Sequence, residues 1–550
     1  MLRIVCDAEA VAARFGFEPL SSLLFTAIRL DSHRFVTPLI AEGDGADLLL
    51  VRQQEQGNVL SAGVDPERIR FYDPWVTIDQ RIIEDTEAAS SLPSLVKELS
   101  QGKAVELDPR APYIHYVGIA GEVDVKVTGA AKARPVVAYA VDQQSVLQRF
   151  ASWRQEAVEV ARRVVDAVPS LAGLEGELTS DRDSRFDAIG SLAMELDVDA
   201  IVVSSPPNFS ELTGTRARVG AIALWNASDR QAVIIADENV TDIPGEPVGR
   251  FQSAADAVVS IAGTGRLAFE EQWESTEFAL DLMERGSTLV SASKSLGSWR
   301  DLRDHEDLAF QVIAARASVN AIEDTVAWVH QQLDDGCSIT ELDAYSMYLQ
   351  YVQEFRVQNS VPFAIEPYFT NLHSSSRMLF PGPPVDFPIN GDTKCVQLDA
   401  GVKVTVDGVV MGTSDMARSI LRSDNGREAY DLLTQAVRDG IIAHLRPGVV
   451  CEEVHAHTLR YLEGLRPRMI EIGLLGADVD FDAEYSKRNV GHLMGKQESF
   501  ANELRPGYTH ELTVGSYGAA EIPWRYGDHA IGTEDLWYIG QSRTFNLTLR

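Results

Sequence analysis

Four carboxylates and one imidazole fall in order through the last third of the chain. They are Asp399 in Leu-Asp-Ala-Gly, Asp415 in Ser-Asp-Met-Ala-Arg-Ser, His492 in Gly-His-Leu-Met-Gly, Glu511 in His-Glu-Leu and Glu534 in Thr-Glu-Asp. All five segments read as strands. Carboxylates that can bridge, joined by one neutral imidazole, suit a pair of hard or borderline divalent cations. Two such ions about 3.5–4 Å apart can hold and activate one water for hydrolysis. Each residue alone has an ordinary explanation: surface acids, a core histidine, a glutamate tolerated in a strand. The ordered set is what points to a metal centre.

The elements that must position these groups can be read from local patterns. Cys395 to Met411 reads as a β-hairpin with Asp407-Gly408 at its tip, the strongest short hairpin signal. A two-residue turn there pairs Val406 with Val409 and leaves Asp399 and Asp415 within one residue of directly opposite. One bulge or a three-residue loop would make them direct partners on one face. Two carboxylates that close are unfavourable unless a cation lies between them. Two amphipathic helices, about 304–335 and 339–357, precede the hairpin, with Gly336 and Ser338 as cap residues between them. Further helices are expected at 427–445 and 452–463, and the end from His510 to Leu549 is strand-like.

Upstream the chain alternates strands and helices, so the fold class is α/β (α+β) in layers. Arg34 to Leu39 and Asp47 to Val51 are short apolar runs suited to strands, and 143–168 is an amphipathic helix. The polar stretch Ala172 to Asp181 reads as a linker. Helix 185–196 and strands near 198–205, 221–225 and 231–236 form a second unit. The expected domains are 1–170, 180–303 and 304–550. The first two have a similar rhythm, as a duplication would leave, without a repeat clear enough to score.

At 550 residues the chain is too long for one core. Its 49 basic and 81 acidic residues give a formal charge of −32, which repels nucleic acid and anionic membrane. Cys6, Cys337, Cys395 and Cys451 are far apart and form no CxxC, so neither a disulfide framework nor a structural zinc site is expected. With no signal-like start and no apolar run of about 20 residues, a cytoplasmic protein is expected. Gly263-Thr-Gly265 reads as a turn, and His455 and His457 as helix-surface residues.

The segments carrying the five groups resemble those of the pita-bread metallohydrolases: creatinase, methionine aminopeptidase, prolidase and aminopeptidase P. Gly391 to Gly401 is similar to the strand with that family's first aspartate, Ser414-Asp-Met-Ala-Arg to the second-aspartate segment, Gly491 to Gly495 to the histidine segment, and Thr533-Glu-Asp-Leu to the last glutamate. Leu445 to His455 resembles the signature of the linking helix, and Asp199 to Gly214 a creatinase-type N-terminal domain. The likeness is firm over about 180–550 and softer over 1–170, where a second such domain would give the three-domain layout of some aminopeptidases P.

The resemblance implies a catalytic pita-bread domain preceded by creatinase-type domains. It implies that Asp399 chelates one metal, that Asp415 and Glu534 bridge both, and that His492 and Glu511 complete the second. A bridging hydroxide would attack the substrate, Glu511 would shuttle the proton, and His373 in Asn371-Leu-His-Ser would stabilise the oxyanion. The family-typical metal is Mn²⁺, with Zn²⁺, Co²⁺ or Fe²⁺ permitted by the ligands; the substrate is a peptide or small amide, and the expected assembly a homodimer. Glu521 in Ala-Glu-Ile-Pro-Trp competes with Glu511 for one ligand position. Glu511 is preferred because some relatives place a Pro/Trp-containing loop after that glutamate. Three features depart from the pattern: Asp399 and Asp415 are widely spaced, no second histidine lies where peptidases place one, and Gly532 stands where an arginine is common. Xaa-Pro peptide hydrolysis is the first expectation. A creatinase-like C–N hydrolase and a non-catalytic binding module on the same scaffold are the alternatives.

Overall fold

The computed structural model describes residues 1–17, 38–43, 45–74, 88–128, 134–179, 182–301, 303–375, 382–480, 489–496, 498–527 and 529–550. The run expected as a strand from Arg34 lies outside these residues up to position 37. Among the described residues no helix is long and apolar enough to cross a membrane.

Seven short strands build the first sheet: β1 (Leu2–Val5), β2 (Leu39–Glu42), β3 (Leu48–Arg52), β4 (Ile69–Tyr72), β5 (Ala88–Ala89), β6 (Val105–Leu107) and β7 (Val125–Val127). Their spatial order is β5-β4-β3-β2-β1-β6-β7. The second sheet holds β8 (Val136–Ala140), β9 (Ala200–Val203), β10 (Ala221–Asn226), β11 (Gln231–Asp237), β12 (Glu246–Phe251), β13 (Arg266–Phe269) and β14 (Thr288–Ser291), in the order β12-β8-β11-β10-β9-β13-β14.

This topology moves the expected boundary at 170–180. β8 pairs antiparallel with both β11 and β12, so the second sheet already begins at Val136. The helix Gln143–Asp166 follows β8 and packs on the long helix Asp304–Asp334, with Phe150, Trp153, Ala157 and Val164 buried. The stretch expected as a linker forms two short turns, Pro169–Leu171 and Leu174–Gly176, with Leu171 and Leu174 buried. Arg543 pins it by donating to the carbonyls of Ser170 and Ala172.

The last unit follows the helix Asp304–Asp334. Thr340 caps the helix Glu341–Gln358 through a box with Asp343. β15 (Ile339–Thr340) pairs with β17 (Pro388–Ile389). The site-bearing strands are β16 (Ala364–Ser374), β18 (Cys395–Val406), β19 (Val409–Thr413) and β20 (Met416–Leu421), with β18 central between β16 on one side and β19 and β20 on the other. A second sheet, in the order β22-β21-β23-β26-β27, holds β21 (Gly491–Met494), β22 (Glu498–Glu503), β23 (Tyr517–Glu521), β26 (Glu534–Ile539) and β27 (Thr544–Asn546), and β24 (Trp524–Tyr526) pairs with β25 (His529–Ile531) at its side. The helix expected at 427–445 is composite: α-helical over Asp424–Gln435, then a π turn over Ala436–Ile441 and a short 3₁₀ turn. The following helix is longer than expected, Cys451–Glu471, and it buries His455 while His457 stacks on His444.

One hydrophobic core runs through residues of both the second unit and the last, from Val141 to Leu547. Beside it lies a buried ionic cluster. Arg154, Arg185, Arg303 and Lys496 face Asp183, Glu211, Glu306 and Asp307. Arg154 Nε lies 2.8 Å from Asp307 Oδ1, and Lys496 Nζ lies 3.0 Å from Asp307 Oδ2 and also bonds Glu211. Burial alone would raise the Glu211 carboxyl, but Lys496, Arg185 and Arg303 hold it well below the ordinary range. Removing one member strands the others in the interior. Lys496→Met is therefore expected to cost about 3–5 kcal/mol of stability, read as a lower midpoint in denaturant unfolding, with Lys496→Arg recovering part of it.

Candidate metal centre

The hairpin forms with the expected turn. Asp407 and Gly408 both have positive φ, 52° and 79°, and Val406 pairs with Val409. One residue later the ladder slips: Thr405 pairs with Val410, but Val404 pairs with Gly412, so Met411 is a bulge. Beyond it Asp399 pairs with Ala417. Asp415 is then diagonal to Asp399 rather than directly opposite, and the two share one face of the sheet because the offset is two residues. Without the bulge they would point to opposite faces. Gly412 shapes this bend, since a Cβ there would lie 2.7 Å from the carbonyl carbon of Phe310 in the long helix. Gly401 is required by the passing chain, since a Cβ would lie 1.9 Å from Ser414 O.

The Asp415 segment is held from behind. Ser318 and Ser414 hydroxyls lie 2.6 Å apart, Ser414 Oγ accepts from Val402 N, and Tyr348 donates to Gly401 O. Thr413 donates from both N and Oγ1 to Gly495 O, which ties the second-aspartate segment to the turn after β21. Asn371 on β16 donates to Asp399 Oδ2 at 3.2 Å.

The facing sheet supplies the other donors. His492 pairs with Ala519, and Glu521 pairs directly with Glu534, so His492, Glu521 and Glu534 share a face. His492 Nε2 lies 3.7 Å from Asp415 Oδ2 and 4.0 Å from Glu534 Oε1. Its Nδ1 lies 3.1 Å from Leu493 O, which fixes the proton on Nδ1 and aims the Nε2 lone pair at the carboxylates. Asp415, His492 and Glu534 each place a donor atom within 4.8 Å of the others.

The electrostatics have one sign. Burial, followed by the charge of Glu521, raises the Asp399 carboxyl to about 7. Burial, then Asp399 and Glu521, raises Asp415 well above the ordinary range; burial, then Asp415, Glu521 and Asp399, does the same for Glu534. No Lys or Arg forms an ion pair with Asp399, Asp415 or Glu534 among the described residues, and Asp415 Oδ1 is buried there without a hydrogen-bond partner. The neighbouring Asp535 makes the contrast: equally buried, it is held below its ordinary value by Arg418 at 2.6 Å. A lone pair and several carboxylates converging without a cation form a donor set that fits divalent metal.

The sequence-derived residues separate here. The structure brings Asp399, Asp415, His492 and Glu534 together. Glu511 is not among them: it is exposed, in an isolated bridge to Val450 at the start of the helix Cys451–Glu471. Glu521, the competing residue, holds the position facing Asp399, Asp415 and Glu534. It ends β23, and Ile522-Pro523 follows, so the Pro/Trp-containing loop comes after Glu521 and not after Glu511. His373 is buried on β16, two residues from Asn371, and pairs with Gln397 on the face that carries Asp399. Sequence reasoning missed Arg418, whose Nη1 donates to Glu534 O at 2.7 Å and fixes the last acidic strand.

The raised acids give a pH dependence with a definite sign. A carboxyl raised from 3.8 to about 7 on folding destabilises the metal-free fold once ionised. Its stabilising share is complete below about 3.8 and lost as pH rises through about 7. Metal-free protein is expected to melt at a higher temperature at pH 5.5 than at pH 8, by a margin that Asp399→Asn reduces. Metal binding should release protons, measured by calorimetry in buffers of different ionisation enthalpy.

Residues 312–541 match the sequence profile of metallopeptidase family M24. Those residues form a domain of that family, of pita-bread type, in the C-terminal part of the chain. No curated protein sequence is similar enough to match the chain. Among solved structures it is similar to an X-prolyl aminopeptidase from Caenorhabditis elegans described as a cytosolic enzyme with a di-nuclear active site, at 11% identity and TM-score 0.57, covering 99% of this chain and 85% of that one. It is also similar to a prolidase from Pyrococcus horikoshii OT3, at 15% identity and TM-score 0.50, covering 67% and 98%. The N-terminal domain of the FACT complex subunit SPT16 from chickpea has the same TM-score at 13% identity, covering 73% and 96%. At these identities the likeness is one of fold.

Proposed function

We propose that the chain is a dinuclear metallohydrolase that cleaves peptides at an Xaa-Pro bond, in the manner of an aminopeptidase P or prolidase. The observation that carries this reading is the convergence of Asp399, Asp415, Glu521, Glu534 and His492, with no ion pair to Lys or Arg for Asp399, Asp415 and Glu534 among the described residues. These five residues would hold two divalent ions, Mn²⁺ being the first to test. When bound, the ions would supply Lewis acidity and a water activated for attack on the scissile carbonyl. Glu521, the only one of the five that ends its strand, would take and return the proton. His373 would donate to the developing oxyanion from the neighbouring strand. Asn371 holds Asp399 by its Oδ2, which fixes one carboxylate before substrate arrives. A cytoplasmic homodimer belongs to the same reading.

The test is a metal-loaded substrate panel. Close to two ions per chain and turnover of Xaa-Pro dipeptides ahead of longer peptides and creatine-like compounds are expected. Turnover confined to creatine-like compounds would overturn the peptidase reading. No retained metal after Mn²⁺ loading, with no turnover, would overturn the hydrolase as well.

A further inference from the structure

Gln397 lies two residues before Asp399 on β18, so the two side chains leave the same face about 7 Å apart. It is 7% exposed. Its cross-strand partners are His373 on β16 and Ser419 on β20. The Ser419 hydroxyl is committed to Gly532, donating to its carbonyl and accepting from its N–H, both at 3.0 Å. The Gln397 amide makes no hydrogen bond to any described residue, and its Oε1 is buried without a partner. A Cβ at Gly532 would lie 2.3 Å from Gln397 Nε2, so any side chain there would displace the amide. The absence of a side chain at 532 is what lets the amide sit beside the acidic cluster.

A buried amide without a partner is costly, and an apolar side chain of the same shape would be cheaper. That cost is recovered if a ligand supplies the missing bond. The orphaned atom selects the ligand's polarity. Oε1 only accepts, so its missing partner is an N–H or O–H donor and not a carbonyl or carboxylate.

We propose that Gln397 is a substrate-binding residue, and that its Oε1 accepts a hydrogen bond from the free amino group of a peptide bound beside Asp399. The inference rests on the peptide-hydrolase reading above and adds the residue that would read the free amine of such a peptide. Acylating that amine removes its charge and places bulk against the amide.

The experiment uses the full metal-loaded chain and two probes. One is a ketomethylene isostere of Ala-Pro, whose scissile C–N bond is a C–C bond; the other is its N-acetyl form. Calorimetry is expected to show the wild-type protein binding the free-amine probe about 10-fold or more tightly than the acetylated one. Gln397→Met should abolish that preference, leave metal content unchanged, and melt in the metal-free state at or above the wild-type temperature. Gln397→Leu supplies the same comparison should the methionine variant fold poorly. A preference retained in the variant, no preference in the wild type, or a lowered melting temperature with both probes weakened alike would overturn the inference. Wild-type protein that binds the free-amine probe with this preference but does not cleave Ala-Pro would overturn the hydrolase reading and leave the amine site standing.

Discussion

Asp415→Asn is expected to remove both bound metal and turnover while the chain stays folded. Asp415 touches both halves of the site. It shares a sheet face with Asp399, and its Oδ2 lies 3.7 Å from His492 Nε2 on the facing sheet. Its Oδ1 is buried without a partner among the described residues. Asparagine keeps the volume but withdraws the charge and one acceptor lone-pair set, so the centre loses its shared anion. Metal per chain should fall from about two to near zero after dialysis, and kcat/KM by about 1,000-fold or more. The fold should persist, because removing one of several mutually repelling acids relieves the metal-free interior. Melting of chelator-treated variant and wild type at pH 8 checks this: the variant should melt at the higher temperature. Unchanged turnover in Asp415→Asn would sink the proposed centre.

The second large effect is a contrast between two glutamates ten positions apart. Glu521→Gln is expected to lower kcat/KM by about 100- to 10,000-fold, since it removes both a ligand and the proposed proton carrier. Glu511→Gln, at an exposed bridge to Val450, should leave turnover unchanged and stability within about 0.5 kcal/mol. Steady-state kinetics on the same Xaa-Pro substrate decide it. Loss of activity in Glu511→Gln with retention in Glu521→Gln would reverse the assignment.

That contrast marks where sequence patterns stop. The Asp407-Gly408 turn was legible because positive φ at both positions selects those residue types. The Met411 bulge was not, since it depends on Gly412 meeting a helix backbone a hundred residues away. The alternation Tyr517, Ala519, Glu521 places Glu521 on the face of Tyr517 and opposite Glu534, but only once the pairing of β23 with β26 is known. Glu511, flanked by apolar Leu512 and Val514, carries a strand-like local pattern although its segment is mostly irregular. The family-bearing segments were readable because each keeps its chemistry within a few residues. The ionic cluster of Arg154, Glu211, Asp307 and Lys496 was invisible, because its members lie far apart along the chain and each looks like a surface charge alone.

That cluster bears on how the chain can be divided. Lys496 stands four residues after His492, yet one of its counter-ions, Glu211, belongs to the second unit. Arg154, the partner of Asp307, belongs there too. Cutting at residue 303 would leave a fragment with the whole M24 match, 312–541, but with Lys496 deprived of Glu211, Asp307 deprived of Arg154, and one wall of its core missing. The hydrolytic domain is thus not a transplantable module here: the segment ahead of it is an integral scaffold, and any minimal active form should begin no later than the strand at Val136.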